Sequence, residues 1–163
     1  MKHSNVDLAM QAAYRENMQA SDSQGIHPLD NLLGYHLRRA SAVMMADLGE
    51  RLFAIGLRPI EATILLLIEA YPGCIQSDVG RILGVQRANM VPMIAALEKA
   101  GLIVRSAMDG RSFALHLTEA GETTLKAAKV CIDTHESHFQ SLFTANESGG
   151  LIASMRRISG ADE

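Results

Sequence analysis

The chain has no Trp, three Tyr, four Phe and only two cysteines among its 163 residues. Two thiols, Cys74 and Cys131, cannot build a disulfide framework and read as reduced side chains of a cytoplasmic protein. The scarcity of aromatics passes much of the packing to nine methionines, which suit adaptable cores and pockets. No apolar run approaches the roughly 18 residues of a membrane span. The densest, Ile60–Ile68, is broken by Glu61 and Thr63, so no membrane partner is expected. Met1–Met10 carries Lys2 with no apolar core behind it, which argues against a secretory leader. There is no Gly-rich phosphate loop, no G-x-S-x-G elbow and no paired metal motif, so an enzyme is not expected. What is present is ordinary for a globular chain: 20% charged and 48% apolar residues, enough to exclude wholesale disorder. The length fits one domain with terminal arms.

Residues 1–28 read as an N-terminal arm or a short helix, Asn5–Ala20, followed by a turn-rich linker, Ser21–Pro28. Beyond it, Leu29, Leu32, Leu33, His36, Leu37, Ala40, Val43, Met44, Leu48, Leu52 and Ile55 recur at three-and-four spacing, the period of a long helix that Gly56 ends. Pro59 opens a second helix to Ala70, apolar on nearly every side and therefore buried. Two shorter helices follow, Gln76–Leu83 and Arg87–Ala100, with Gly84 between them: the helix-turn-helix pattern. Leu102–Ser106 and Phe113–Leu117 read as strands joined through Asp109-Gly110, a strong hairpin signal. A long helix starts at the N-cap Thr118. Asn146–Gly150 is expected to break it, leaving Leu151–Ile158 as a last short helix. The fold class is mainly α with a small β-hairpin wing: a winged helix-turn-helix DNA-binding lobe, about 59–118, plus a helical dimerisation lobe.

Charge is uneven. Residues 75–117 hold five basic and three acidic side chains, a balance of +2 on a chain of net charge −3, so the remainder carries −5. A basic stretch on an acidic body fits a nucleic-acid face, or a chance cluster on a solvated surface.

The run from Asp109 to Gly121 (DGRSFALHLTEAG) closely resembles the wing signature of MarR-family transcriptional regulators, D-x-R, a spacer, L-x-L-T and then x-x-G. Leu97–Ile103 (LEKAGLI) is similar to the family's join between recognition helix and wing, and the order of elements also matches. The resemblance covers about residues 29–145, with 146–163 as a C-terminal dimerisation helix and tail. It implies a homodimer that sets two recognition helices in successive major grooves of double-stranded operator DNA. Arg87 and Asn89, near the start of that helix, then face base edges, where Arg pairs with guanine and Asn with adenine. Met90 offers an apolar contact to a thymine methyl. Ser77 and Gln86 suit phosphates at helix N-termini, and Arg105 a further phosphate. Arg111 at the wing tip suits the minor groove, with Asp109 holding it or merely serving the turn. Pro92 departs from the family pattern. It predicts a bend or a late start in the recognition helix, with Val91-Pro92-Met93 packing inward.

The resemblance also implies a small-molecule effector. Tyr35, His36, Arg38 and Arg39 on the first long helix offer hydrogen-bonding and anion-binding groups, and Met44 a pliant lining, for an aromatic acid or its coenzyme A thioester. Ion pairing of the arginines and a satisfied buried histidine are the structural alternatives. No cofactor and no metal is expected: His135 and His138 share a helix face with Glu136 adjacent, but a zinc-type Cys/His set is missing, and a solvated face is the simpler reading. Alternative functions are a winged-helix protein-interaction module without specific DNA binding and a thiol-based redox-responsive regulator.

Overall fold

The computed structural model describes residues 28–108 and 112–160. The proposed helix at Asn5–Ala20 and the wing-tip residues Asp109, Gly110 and Arg111 lie outside them. The chain divides into two compact units, residues up to 43 and residues from 44 onward. In the described part of the first, a turn at Leu29–Leu32 leads into helix α1 (Leu33–Phe53), which starts later than the apolar spacing predicts and runs into the second unit.

The second unit holds α2 (Pro59–Ala70), α3 (Gln76–Ile82), α4 (Arg87–Lys99), β1 (Ile103–Ala107), β2 (Phe113–Leu117), α5 (Glu119–Gln140) and α6 (Ala145–Ser159). Helix α2 is its axis. Pro59 presets the first turn, and the Glu61 carboxylate accepts the Arg58 N–H at 2.9 Å, satisfying a donor the helix cannot use. Ile64, Leu65 and Ile68 are at most 1% exposed. At about 1.5–3 kcal/mol for each such side chain, α2 anchors the core that also takes in Leu52, Val79, Met90, Ile94, Leu97, Ile103, Leu115 and Leu125.

The turn between α3 and α4 depends on Gly84, whose φ of 63° is left-handed. Val85 N–H then bonds Gly80 C=O at 2.8 Å, closing the turn. Strands β1 and β2 pair antiparallel with Ile103 opposite Leu117 and Ala107 opposite Phe113. Met108 N–H reaches Ser112 C=O at 3.1 Å at the outer end. Ile75 adds a bridge to Ala114, tying the loop before α3 to the wing.

The L-T-x-x-G signature has a mechanical explanation. Thr118 caps α5 by accepting the Gly121 N–H at 2.9 Å, and its hydroxyl donates to Gly101 C=O at 2.6 Å. Its own N–H bonds Leu102 C=O at 3.1 Å. Gly121 lies so close to that joint that a Cβ on it would overlap the Leu102 carbonyl oxygen. Three elements meet there: the end of α4, the start of β1 and the first turn of α5.

Helix α6 starts at Ala145, not at Leu151, and runs through Gly149-Gly150. The reason is the box at its start. Glu147 accepts the Thr144 N–H at 2.8 Å while Thr144 Oγ1 accepts the Glu147 N–H at 3.4 Å. None of its residues is buried, and Leu151, Ile152 and Ile158 are exposed.

Gly121→Ala is expected to cost about 3 kcal/mol, because the clash is with backbone that cannot swing aside. Thr118→Val should cost about 1 kcal/mol as a lost cap. Thermal unfolding of the two variants checks the order.

Candidate nucleic-acid interface

Helix α4 turns Met90, Ile94 and Leu97 inward, at 0%, 0% and 2% exposure. This phase corrects two expectations. Met90 is a core residue and is not available for a base contact. Val91 and Pro92 do not pack inward: both are exposed, Val91 at 46%, and only Met93 is partly buried. The helix is continuous from Arg87 to Lys99 with Pro92 inside it. Pro92 leaves one carbonyl without its helical donor, but it sits on the open side, where water reaches.

Ser77, Gln86, Arg87 and Asn89 are all exposed. They do not form one cluster. Arg87 and Val91 lie on the flank facing the wing, where a cleft of about 440 Å³ is lined also by Ser77, Arg81, Arg105 and Phe113. Gln86, Asn89 and Pro92 lie on the other flank, where a second, shallower cleft also includes Arg58. The recognition helix is thus the ridge between two basic-edged clefts, the form that a duplex groove and its two phosphate walls would fit.

Arg105 stands 3.0 Å from Glu98 through Nε, a contact that holds the charges together although the N–H is not aimed at the carboxylate. The pair links α4 to β1 and turns the first wing strand's cation toward the cleft. Arg81 escaped the sequence reading. It lines the same cleft, and its nearest acid, Asp78, is 3.5 Å away in an exposed pair of little energetic weight. Arg58 also escaped, and it is held by Glu61 at 2.6 Å.

A model of the MarR family matches residues 55–112. A Thauera aromatica protein named as a transcriptional regulatory protein for the hcr operon is 30% identical over 129 residues, 77% of this chain and 78% of its own length. Among solved structures, the transcriptional repressor CouR bound to p-coumaroyl-CoA is 33% identical. Its TM-score is 0.76, over 82% of this chain and 96% of that one. CouR bound to a 23-mer DNA duplex is 36% identical with a TM-score of 0.77, over 80% and 94%. The chain belongs to the MarR family. It is a MarR-family transcriptional regulator, and its mostly helical fold with a two-stranded wing matches those structures. No helix among the described residues is long and apolar enough to cross a membrane.

The remaining candidates lie on α1. Arg38 and Arg39 are exposed, and no acid pairs with either among the described residues. Arg39 instead donates to the Tyr35 hydroxyl at 3.1 Å and lies 5.7 Å from that ring's centre. His36 is exposed rather than buried, with Nε2 2.8 Å from Asp30 C=O. Met44 is partly buried.

A further cluster was invisible in the sequence. His135 is not on a solvated face; it is 3% exposed, with Nδ1 2.7 Å from Asp47. A carboxylate only accepts, so Nδ1 carries the proton. Asp47 also takes two bonds from Arg51, at 2.7 and 3.0 Å. Arg51 first, and His135 second, hold its carboxyl well below the usual carboxylate range. His135 follows Leu125, Ala128 and Ile132 along the apolar stripe of α5, a signal of burial. Nothing local pointed to a partner 88 positions away.

Cys74 lacks the setting of a redox sensor. Burial, then the Asp78 charge, pushes the Cys74 thiol up, away from the reactive thiolate. Cys131 is partly buried with Sγ 3.7 Å from Arg51 C=O.

Because the Asp47 carboxyl titrates lower when folded than when unfolded, its contribution is complete above about pH 4 and fades as pH falls through the folded value. Asp47→Asn should therefore lower the unfolding temperature at pH 7 and flatten the loss of stability below pH 4. Parallel melting curves from pH 2 to 7 test both effects.

Proposed function

We propose that this chain is a homodimeric, sequence-specific repressor that leaves its operator when it binds an aromatic acyl-CoA thioester or the parent acid. The observation that carries the reading is the likeness to CouR. At 33–36% identity over at least 80% of this chain, that repressor has been solved both with p-coumaroyl-CoA and with a DNA duplex. The surface chemistry agrees. Arg87 and Asn89 flank the exposed ridge of α4 and read base edges, while Ser77, Gln86, Arg105 and the unpredicted Arg81 meet phosphates. Arg111, outside the described residues, takes the minor groove, with Asp109 beside it.

A second copy of the chain covers α6, whose Leu151, Ile152 and Ile158 are exposed among the described residues. Residues 29–145 form the MarR-type core, and 146–160 extend the dimer surface; the N-terminal arm, read as dimer-associated, lies outside the described residues. Arg38 and Arg39, free of acidic partners among the described residues, take the anionic groups of the effector beside Tyr35, His36 and Met44. Release follows if the effector binds more tightly to the arrangement that misplaces the two recognition helices. The protein works in the cytoplasm, where operators and acyl-CoA thioesters meet.

The test is binding of the full chain to its own upstream intergenic DNA across a salt series, with and without p-coumaroyl-CoA and related acids. Nanomolar, salt-steep binding relieved by one thioester or acid is the expected result. Arg111→Ala should weaken binding uniformly and lower the salt slope by about 1, and Asn89→Ala should relax preference at one base pair per half-site by about 1–3 kcal/mol. Weak binding that is equal on unrelated DNA would contradict the reading and favour a protein-interaction module.

A further inference from the structure

The outermost side of α4 is short of hydrogen-bonding groups. With Met90, Ile94 and Leu97 turned inward, a rotation of about 100° per residue directs Ala88, Pro92 and Ala95 outward and Lys99 beyond them at the helix end, with Val91 on the wing-side flank next to Arg87. Arg87 and Asn89 stand on the two flanks, one in each cleft. Each polar group expected to read bases therefore has an apolar neighbour one turn further on, Val91 beside Arg87 in the wing-side cleft and Pro92 beside Asn89 in the other.

Only one group on the major-groove edge of DNA is apolar, the C5 methyl of thymine. A base pair lying under Val91 or Pro92 that offers only donors and acceptors would lose water and gain no partner. A thymine methyl in that place loses nothing and buries apolar surface. Pro92 suits the task. Its ring is rigid, so the contact costs no rotamer freedom, and it has no N–H to leave unpaired against the base. Ala88 and Ala95 are short enough to let the helix lie deep in the groove, which brings Val91 and Pro92 to the bases.

We propose that Val91 and Pro92 are specificity-determining residues that read thymine methyl groups in the centre of each operator half-site. The inference rests on the DNA-binding reading above and adds which chemical group of the base is recognised. It moves the apolar contact from the buried Met90 to the two residues that follow it. Arg87 and Asn89 then set the flanking pairs, and thymine is required between them.

The experiment uses the full-length chain and the operator located by footprinting its upstream intergenic DNA. Each thymine of the protected half-sites is replaced, one at a time and symmetrically, by deoxyuridine, which removes the methyl and leaves every hydrogen-bonding group. Affinity is read by fluorescence anisotropy at fixed salt. At least one thymine per half-site should show a loss of about fourfold per methyl, the equivalent of one buried carbon. In Val91→Ala or Pro92→Ala that loss should shrink towards none, while Asn89→Ala should keep it. Both substitutions are at exposed positions; a melting temperature no lower than that of the parent chain confirms an intact fold, and Pro92→Ala should raise it by restoring a helical hydrogen bond.

Specific binding that tolerates deoxyuridine at every position within twofold would overturn the proposal and leave the repressor reading standing. A half-site with no thymine beneath α4 would overturn it as well. Absence of any site-specific binding would overturn both.

Discussion

The joint at Thr118 and Gly121 is the constraint on which the rest depends. Within a few residues it fixes where the recognition helix ends, where the first wing strand departs and where the long helix α5 begins. Thr118 makes its contacts there with both a backbone carbonyl and a backbone N–H, and the bare Cα of Gly121 admits the Leu102 carbonyl. If this joint loosens, Arg105 on β1 moves against Glu98 on α4, and the cleft between helix and wing loses its width. The signature motif is thus a hinge pin for the DNA face rather than a part of that face.

Much of this was readable from local chemistry. Pro59, Gly84 and the Thr118 cap each dictate a backbone event at a fixed place, and the described helices and strands follow them closely. Where the reading failed, the missing information was of another kind. The start of α6 turned on a reciprocal side-chain bond between Thr144 and Glu147, which outweighed two helix-weakening glycines. The inward turn of Met90 was a matter of helical phase: Met90, Ile94 and Leu97 share one face, and that phase put Val91 and Pro92 outside. A count of apolar residues had put them inside.

Long-range partnerships were the least accessible. The Asp47–His135 contact joins α1 to α5 across 88 positions, and only the fold brings them together. With Arg51 bonded to the same carboxylate, it forms a three-residue hydrogen-bonded group at the partly exposed margin of the helix pair. Only His135 is buried, at 3% exposure, and the Asp47 carboxylate is the acceptor that satisfies its ring N–H, while Asp47 and Arg51 stay partly exposed. The division of the DNA-face residues between two clefts was equally hidden. Spacing places Gln86, Arg87 and Asn89 side by side in the chain. The helix sends Arg87 to one flank and Gln86 and Asn89 to the other.

The central claim is that a dimer of this chain presents two copies of α4 to one duplex and withdraws them when a small anionic aromatic compound binds. Hydroxyl-radical footprinting on the chain's upstream DNA, repeated with p-coumaroyl-CoA and with each compound of an aromatic acid and thioester panel, tests it most directly. The account predicts two protected segments centred about one helical turn apart. Both should vanish together at one effector concentration. A single unpaired footprint, or two segments that persist at saturation with every compound of the panel, would contradict it.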